Sequence, residues 1–183
     1  MRSATTGTAN PSTRWAVALG LTAALGSYGL ACVFPFAALA ALAAVTLPTR
    51  HAAILIGATW VVNQLVGFTL LPYPHDGQAV AWGAIIGVAA FAGLGAAKVA
   101  FGRETRMMSL RTIMALAASV VAYQAIMFVG AYAMDGFESS TAAIVADIAR
   151  DDFMWFAGLA ALRLALGSAL PGWFASAPTP RPA

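Results

Sequence analysis

A chain of 183 residues that is 61% hydrophobic and only 9% charged has too few solvated side chains to cover a water-facing surface, since an ordinary soluble domain is about 25% charged. Such a chain is expected to fold in lipid as one bundle, with no length left over for a separate soluble domain. The net charge of +3 comes from scattered basic residues with no interleaved aromatic stripe, so no nucleic acid partner is expected, and the lone Cys32 excludes an internal disulfide or a CxxC motif.

Residues 1–14 read as a cytoplasmic tail. Arg2 and Arg14 ahead of "WAVALGLTAALGSYGLAC" outline a signal peptide ending at a lipidated cysteine. Against that, Gly29 stands where such a site wants a branched apolar residue, and membrane sequence continues beyond Cys32. The stretch 15–31 is therefore expected to be a first membrane span. A second, 35–48, lies in "CVFPFAALAALAAVTLP", where Pro35 suits the first turn of a helix because its missing N–H is not needed there. Four more follow at 52–71, 80–101, 112–134 and 153–170. In the fifth loop, "DGFESSTAAIVADIARDD" offers Ser139 or Ser140 as a cap, which predicts a short extra helix lying over the outer face. The tail 172–183 is rich in proline and small residues and is expected to be disordered. The expected fold class is an all-α membrane protein, a compact bundle of six transmembrane helices over 15–171.

Orientation follows from the basic residues, because cytoplasmic loops hold an excess of Lys and Arg. Arg2, Arg14, Arg50, Lys98, Arg103, Arg106, Arg111 and Arg181 fall on one side, whereas 135–152 on the other carries only Arg150. Both termini are expected in the cytoplasm, with the first, third and fifth loops outside. The predicted location is a bacterial inner membrane, crossed several times.

Polar groups at membrane depth are costly unless they pair or line a wet cavity. Arg163 lies near the middle of the sixth span, with backbone carbonyls, Asn63, Gln124 or a cytoplasmic-side group as candidate partners. Asn63 and Gln64 on the third span and Tyr123 and Gln124 on the fifth bring further polar groups into the bundle, for interhelical hydrogen bonding or for binding. No acid is expected inside. Small residues recur every four positions as Ala16, Gly20 and Ala24, as Gly83 and Gly87, and as Ala157, Ala161, Ala165 and Ala169. Such ridges serve either close packing within the bundle or a smooth face for a partner subunit.

The outer turns hold the concentrated chemistry. Tyr28, Cys32 and Phe34 surround the first, Tyr73, His75, Asp76 and Trp82 the second, and Arg150 lies in the third. Interfacial aromatics commonly form a plain belt, but an imidazole beside a carboxylate can also bind a metal, hydrogen-bond a ligand or sense pH. No enzyme is expected: the two histidines fall on opposite sides, and HExxH and nucleophile-elbow motifs are missing from the sequence. These residues read instead as a substrate mouth, with Asp76 orienting His75, Tyr73 and Trp82 offering flat surfaces, and Pro72 and Pro74 stiffening the turn.

The six-span pattern, with "CVFPFAALAALAAVTLP" and "NQLVGFTLLPYPHDGQAVAWG", resembles the substrate-binding S-component of energy-coupling factor vitamin transporters over 15–170. Within that group it is most similar to the solitary cobalamin-specific S-components of Gram-negative bacteria. The resemblance implies a periplasm-facing cavity formed by the first, third and fifth loops, with cobalamin or a related corrinoid as transported ligand. It implies no cofactor of the chain's own, and either an energising module as partner or none. Those proteins present a cysteine to cobalt from the loop between spans three and four. Here that loop offers His75, and Cys32 sits in the first loop, so either is expected to ligate the cobalt. A different expectation is a non-transporting accessory subunit that docks in a larger membrane complex through its alanine and glycine ridges.

Overall fold

Prolines mark the helix starts. Pro11, Pro35, Pro48 and Pro171 each stand at or just before a first turn, where the fixed φ of proline fits and its missing N–H costs nothing. A computed structural model of the protein describes residues 10–29, 34–71, 73–102, 107–134 and 142–174, and all regular structure among them is helical. The elements are α1 (Pro11–Gly29), α2 (Phe36–Thr46), α3 (Thr49–Thr69), α4 (Gly77–Gly102), α5 (Met108–Ala133), α6 (Ala142–Ala169) and a single turn, α7 (Pro171–Phe174). Helices α3, α4 and α5 are long and apolar enough to cross a membrane, and α2 is a shorter apolar helix.

The sequence suggested α2 as a span like the others, and its length says otherwise. Eleven residues rise only about 16 Å, roughly half of a hydrocarbon core about 30 Å thick. The helix instead occupies the centre of the bundle. Every residue of 36–44 is buried, and α2 packs against α1, α3, α4, α5 and α6. Alanine makes this arrangement feasible, because a helix with small side chains all round lets several neighbours approach at once. Ser119 of α5 ties the hub in place by donating its hydroxyl to the Ala37 carbonyl at 2.8 Å. At Gly93 of α4 a Cβ would stand 2.9 Å from that same hydroxyl oxygen, so the α4–α5 approach requires glycine there.

One end of the bundle gathers the basic side chains. Lys98 donates to the Leu47 carbonyl at 2.7 Å and Arg111 to the Phe101 carbonyl at 2.8 Å, placing cations at the C-termini of α2 and α4, where unsatisfied carbonyls and the helix dipole favour them. Trp15 joins α1 to the last turn of α2 through a 2.9 Å hydrogen bond to Thr46. Arg163 pairs with neither an amide nor an acid among the described residues. Its guanidinium lies over the rings of Trp15 and Phe174, at 5.2 and 5.1 Å, within cation–π range.

Three boundaries differ from the sequence expectation. Helix α1 begins at Pro11, inside the stretch taken as tail, with Asn10 accepting the Ser12 N–H at 3.2 Å. At the other terminus, α7 extends order into 172–174, and Phe174 packs edge-on against Trp15 at 5.9 Å. The extra helix expected in the fifth loop is not a separate element but the first turns of α6. No proline or glycine interrupts the sequence from Ala142 to Ala157, and an Asp147–Arg150 ion pair at 3.1 Å bridges one turn of its exposed side.

Candidate ligand cavity

A central helix half the length of its neighbours leaves space beyond its end. Above the N-terminus of α2, at the end opposite the basic side chains, lies a cavity of about 520 Å³. Phe34 and Phe36 line it at that N-terminus, with ring centroids 4.6 Å apart. The walls come from helix positions spaced three and four apart: Gln64 and Phe68 of α3, Ala79, Trp82, Gly83 and Ile86 of α4, Tyr123, Gln124 and Met127 of α5, and Val145, Ile148 and Asp152 of α6. That spacing puts each set on one helix face. Tyr73 and Pro74 contribute from the α3–α4 turn.

Polar groups in this wall are few and unusually placed. Behind the wall, Trp60 donates to the Gly83 carbonyl at 2.8 Å and ties α3 to α4. A Cβ at Gly83 would lie 2.5 Å from Gln64 Oε1, so glycine here makes room for the Gln64 side chain against α4. The side-chain nitrogens of Gln64 and Gln124 are buried and have no hydrogen-bond partner among the described residues. A buried donor left unpaired costs about 1–3 kcal/mol, and both residues are among those that line the cavity.

Asp152 overturns the expectation that no acid lies inside the bundle. It is only 4% exposed and accepts the Ala38 N–H of the first turn of α2 at 3.0 Å. The continuity of α6 explains the placement, because Val145, Ile148, Asp152 and Leu159 then form a single inward stripe. Sequence reading missed it by ending the outer helix before Asp152. The apolar spacing running through 145, 148, 155, 156 and 159 was the available signal.

Of the sequence-predicted residues, Phe34, Tyr73 and Trp82 line the cavity. His75 is exposed, with its Nε2 3.1 Å from the Phe68 carbonyl oxygen and its ring 5.8 Å from that of Phe68. Asp76 accepts the Ala79 N–H at 2.8 Å and so caps α4. Arg150 is exposed and pairs with Asp147 and Asp151, both at 3.1 Å. Cys32 and the side chain of Tyr28 lie outside the described residues. Among the described residues no three His, Cys, Asp or Glu side chains gather as a metal site. No protein-family model, curated protein or solved structure matches the chain.

Proposed function

We propose that this chain is a bacterial inner-membrane protein that binds a small, vitamin-like ring compound from the outer side, as the S-components it resembles do. Binding, not catalysis, is its task in this proposal, and both termini face the cytoplasm. The basic residues clustered at the end opposite the cavity support that orientation.

The supporting observation is the cavity with its aromatic walls and the side chains of Gln64 and Gln124 among its lining residues. Sites of about 300–1,000 Å³ hold drug-sized ligands, with apolar walls giving burial and a few polar groups giving orientation. The volume favours a vitamin smaller than a corrinoid. Cobalamin would leave much of its bulk at the rim, near His75, and ligation of its cobalt by His75 or Cys32 is the form the proposal takes for that ligand.

Thermal unfolding of the detergent-solubilised protein against cobalamin, cobinamide, riboflavin, thiamine and biotin tests this. One compound is expected to raise Tm, equivalent to about 2.7 kcal/mol at one hundred times its Kd, and Gln64→Leu is expected to reduce that shift. A flat panel overturns the proposal. A second reading, an accessory subunit without a ligand, draws on Ala157, Ala161, Ala165 and Ala169, which are all exposed along α6. A stoichiometric membrane partner that is lost on Ala161→Leu would favour it.

A further inference from the structure

We infer that the ligand carries a positive charge and that Asp152 receives it. This rests on the cavity being a binding site and adds the charge of its occupant. Asp152 is buried in the cavity wall, and its hydrogen bond from Ala38 occupies Oδ1. None of the ion pairs among the described residues involves it. Arg150, two positions earlier, is exposed and held by Asp147 and Asp151. Lys98, Arg111 and Arg163 are engaged at the far end of the bundle.

A carboxylate taken out of water needs a counter-charge or a full set of donors. The N-terminus of α2 supplies the equivalent of roughly half a unit charge, and a cation on the ligand would supply the remainder. At the same end of the bundle, Asp76, Asp147 and Asp151 flank lining residues in sequence and outnumber Arg150 among the described charged residues there, a field that concentrates cations. Phe34, Tyr73 and Trp82 line the same cavity with aromatic side chains, which suit a flat cation. Gln64 and Gln124 line the same cavity and offer amide hydrogen bonds to polar atoms of the same molecule. The chemistry that satisfies all of these is a planar heteroaromatic cation or ring-borne protonated amine with carbonyl or ring-nitrogen acceptors.

A purely structural role for Asp152, capping α2 from a neighbouring helix, would explain the bond to Ala38 without any preference for charge in the ligand. Calorimetric titration of the full-length protein in detergent separates the two. The probes are N-methylquinolinium with its neutral analogue 1-methylquinolin-2-one, and thiamine, riboflavin and biotin as cationic, neutral and anionic vitamins. The cations are expected to bind at least about tenfold tighter than the neutral and anionic compounds, as expected when a buried charge gains its partner. Asp152→Asn keeps an oxygen for the Ala38 N–H and is expected to bring cation and neutral analogue to within about twofold of each other. Asp151→Asn, at the adjacent position, is expected to keep most of the preference. Equal affinity of wild type for the quinolinium and the quinolone overturns the inference, whether or not the variants fold, while leaving the binding site standing. Loss of the preference in Asp151→Asn but not in Asp152→Asn overturns it too. If no probe of any charge binds, the binding site falls with it.

Discussion

Asp76 and Asp152 both accept backbone N–H groups at the start of a helix, and burial separates them. Asp76 is exposed and serves the helix that it precedes, with its Oδ1 on Ala79. Asp152 reaches across from α6 to α2 and is buried in the cavity wall. A carboxylate at an exposed cap adds stability without selecting a ligand, so Asp76→Ala is expected to cost about 1 kcal/mol. Thermal unfolding should show that loss undiminished with a bound ligand present, and a selective loss of binding would instead place Asp76 in the site. His75 follows the same pattern, since its proximity to Asp76 in sequence becomes two separate engagements, one with Phe68 and one with α4.

Among the elements, α2 decides the most. It is apolar on every side, so its sequence has no stripe to name a preferred neighbour, and only the packing of five surrounding helices settles where it lies. Its shortness opens the cavity and brings its positive N-terminal end to Asp152. Ala40 is fully buried in this hub, and the Cβ position of Gly93 is 3.9 Å from its own Cβ. Ala40→Leu should therefore overpack the α2–α4 contact and destabilise the protein by about 1–3 kcal/mol. Exposed Ala161→Leu on α6 should leave unfolding nearly unchanged. Equal effects from the two variants would mean that α2 is not the central helix.

At the scale of the whole molecule, charge is sorted between two ends. Helix C-termini at one end hold lysine and arginine, and the cavity end holds Asp152 in the wall with Asp76, Asp147 and Asp151 close to lining residues in sequence. The proposed orientation follows from that separation by the positive-inside rule. In a Cys32→Ser background, a membrane-impermeant maleimide applied to intact spheroplasts should label Gln78→Cys, exposed in the first turn of α4. Arg50→Cys, in the first turn of α3, should label only after permeabilisation. The reverse pattern would turn the protein over and direct the cavity to the cytoplasm.

Composition alone called for lipid as the solvent, and prolines with long apolar runs located most helix starts to within a few residues, because hydropathy and backbone breakers act locally. The grouping of basic residues was legible for the same reason, as were Phe34, Tyr73 and Trp82 near the mouth. Burial of Asp152, the convergence of Gln64 and Gln124 on one cavity, the aromatic seat of Arg163 and the cavity itself were not legible as assembled features. Each depends on which faces of separate helices meet around α2, and that is set by side-chain packing between residues far apart in the chain.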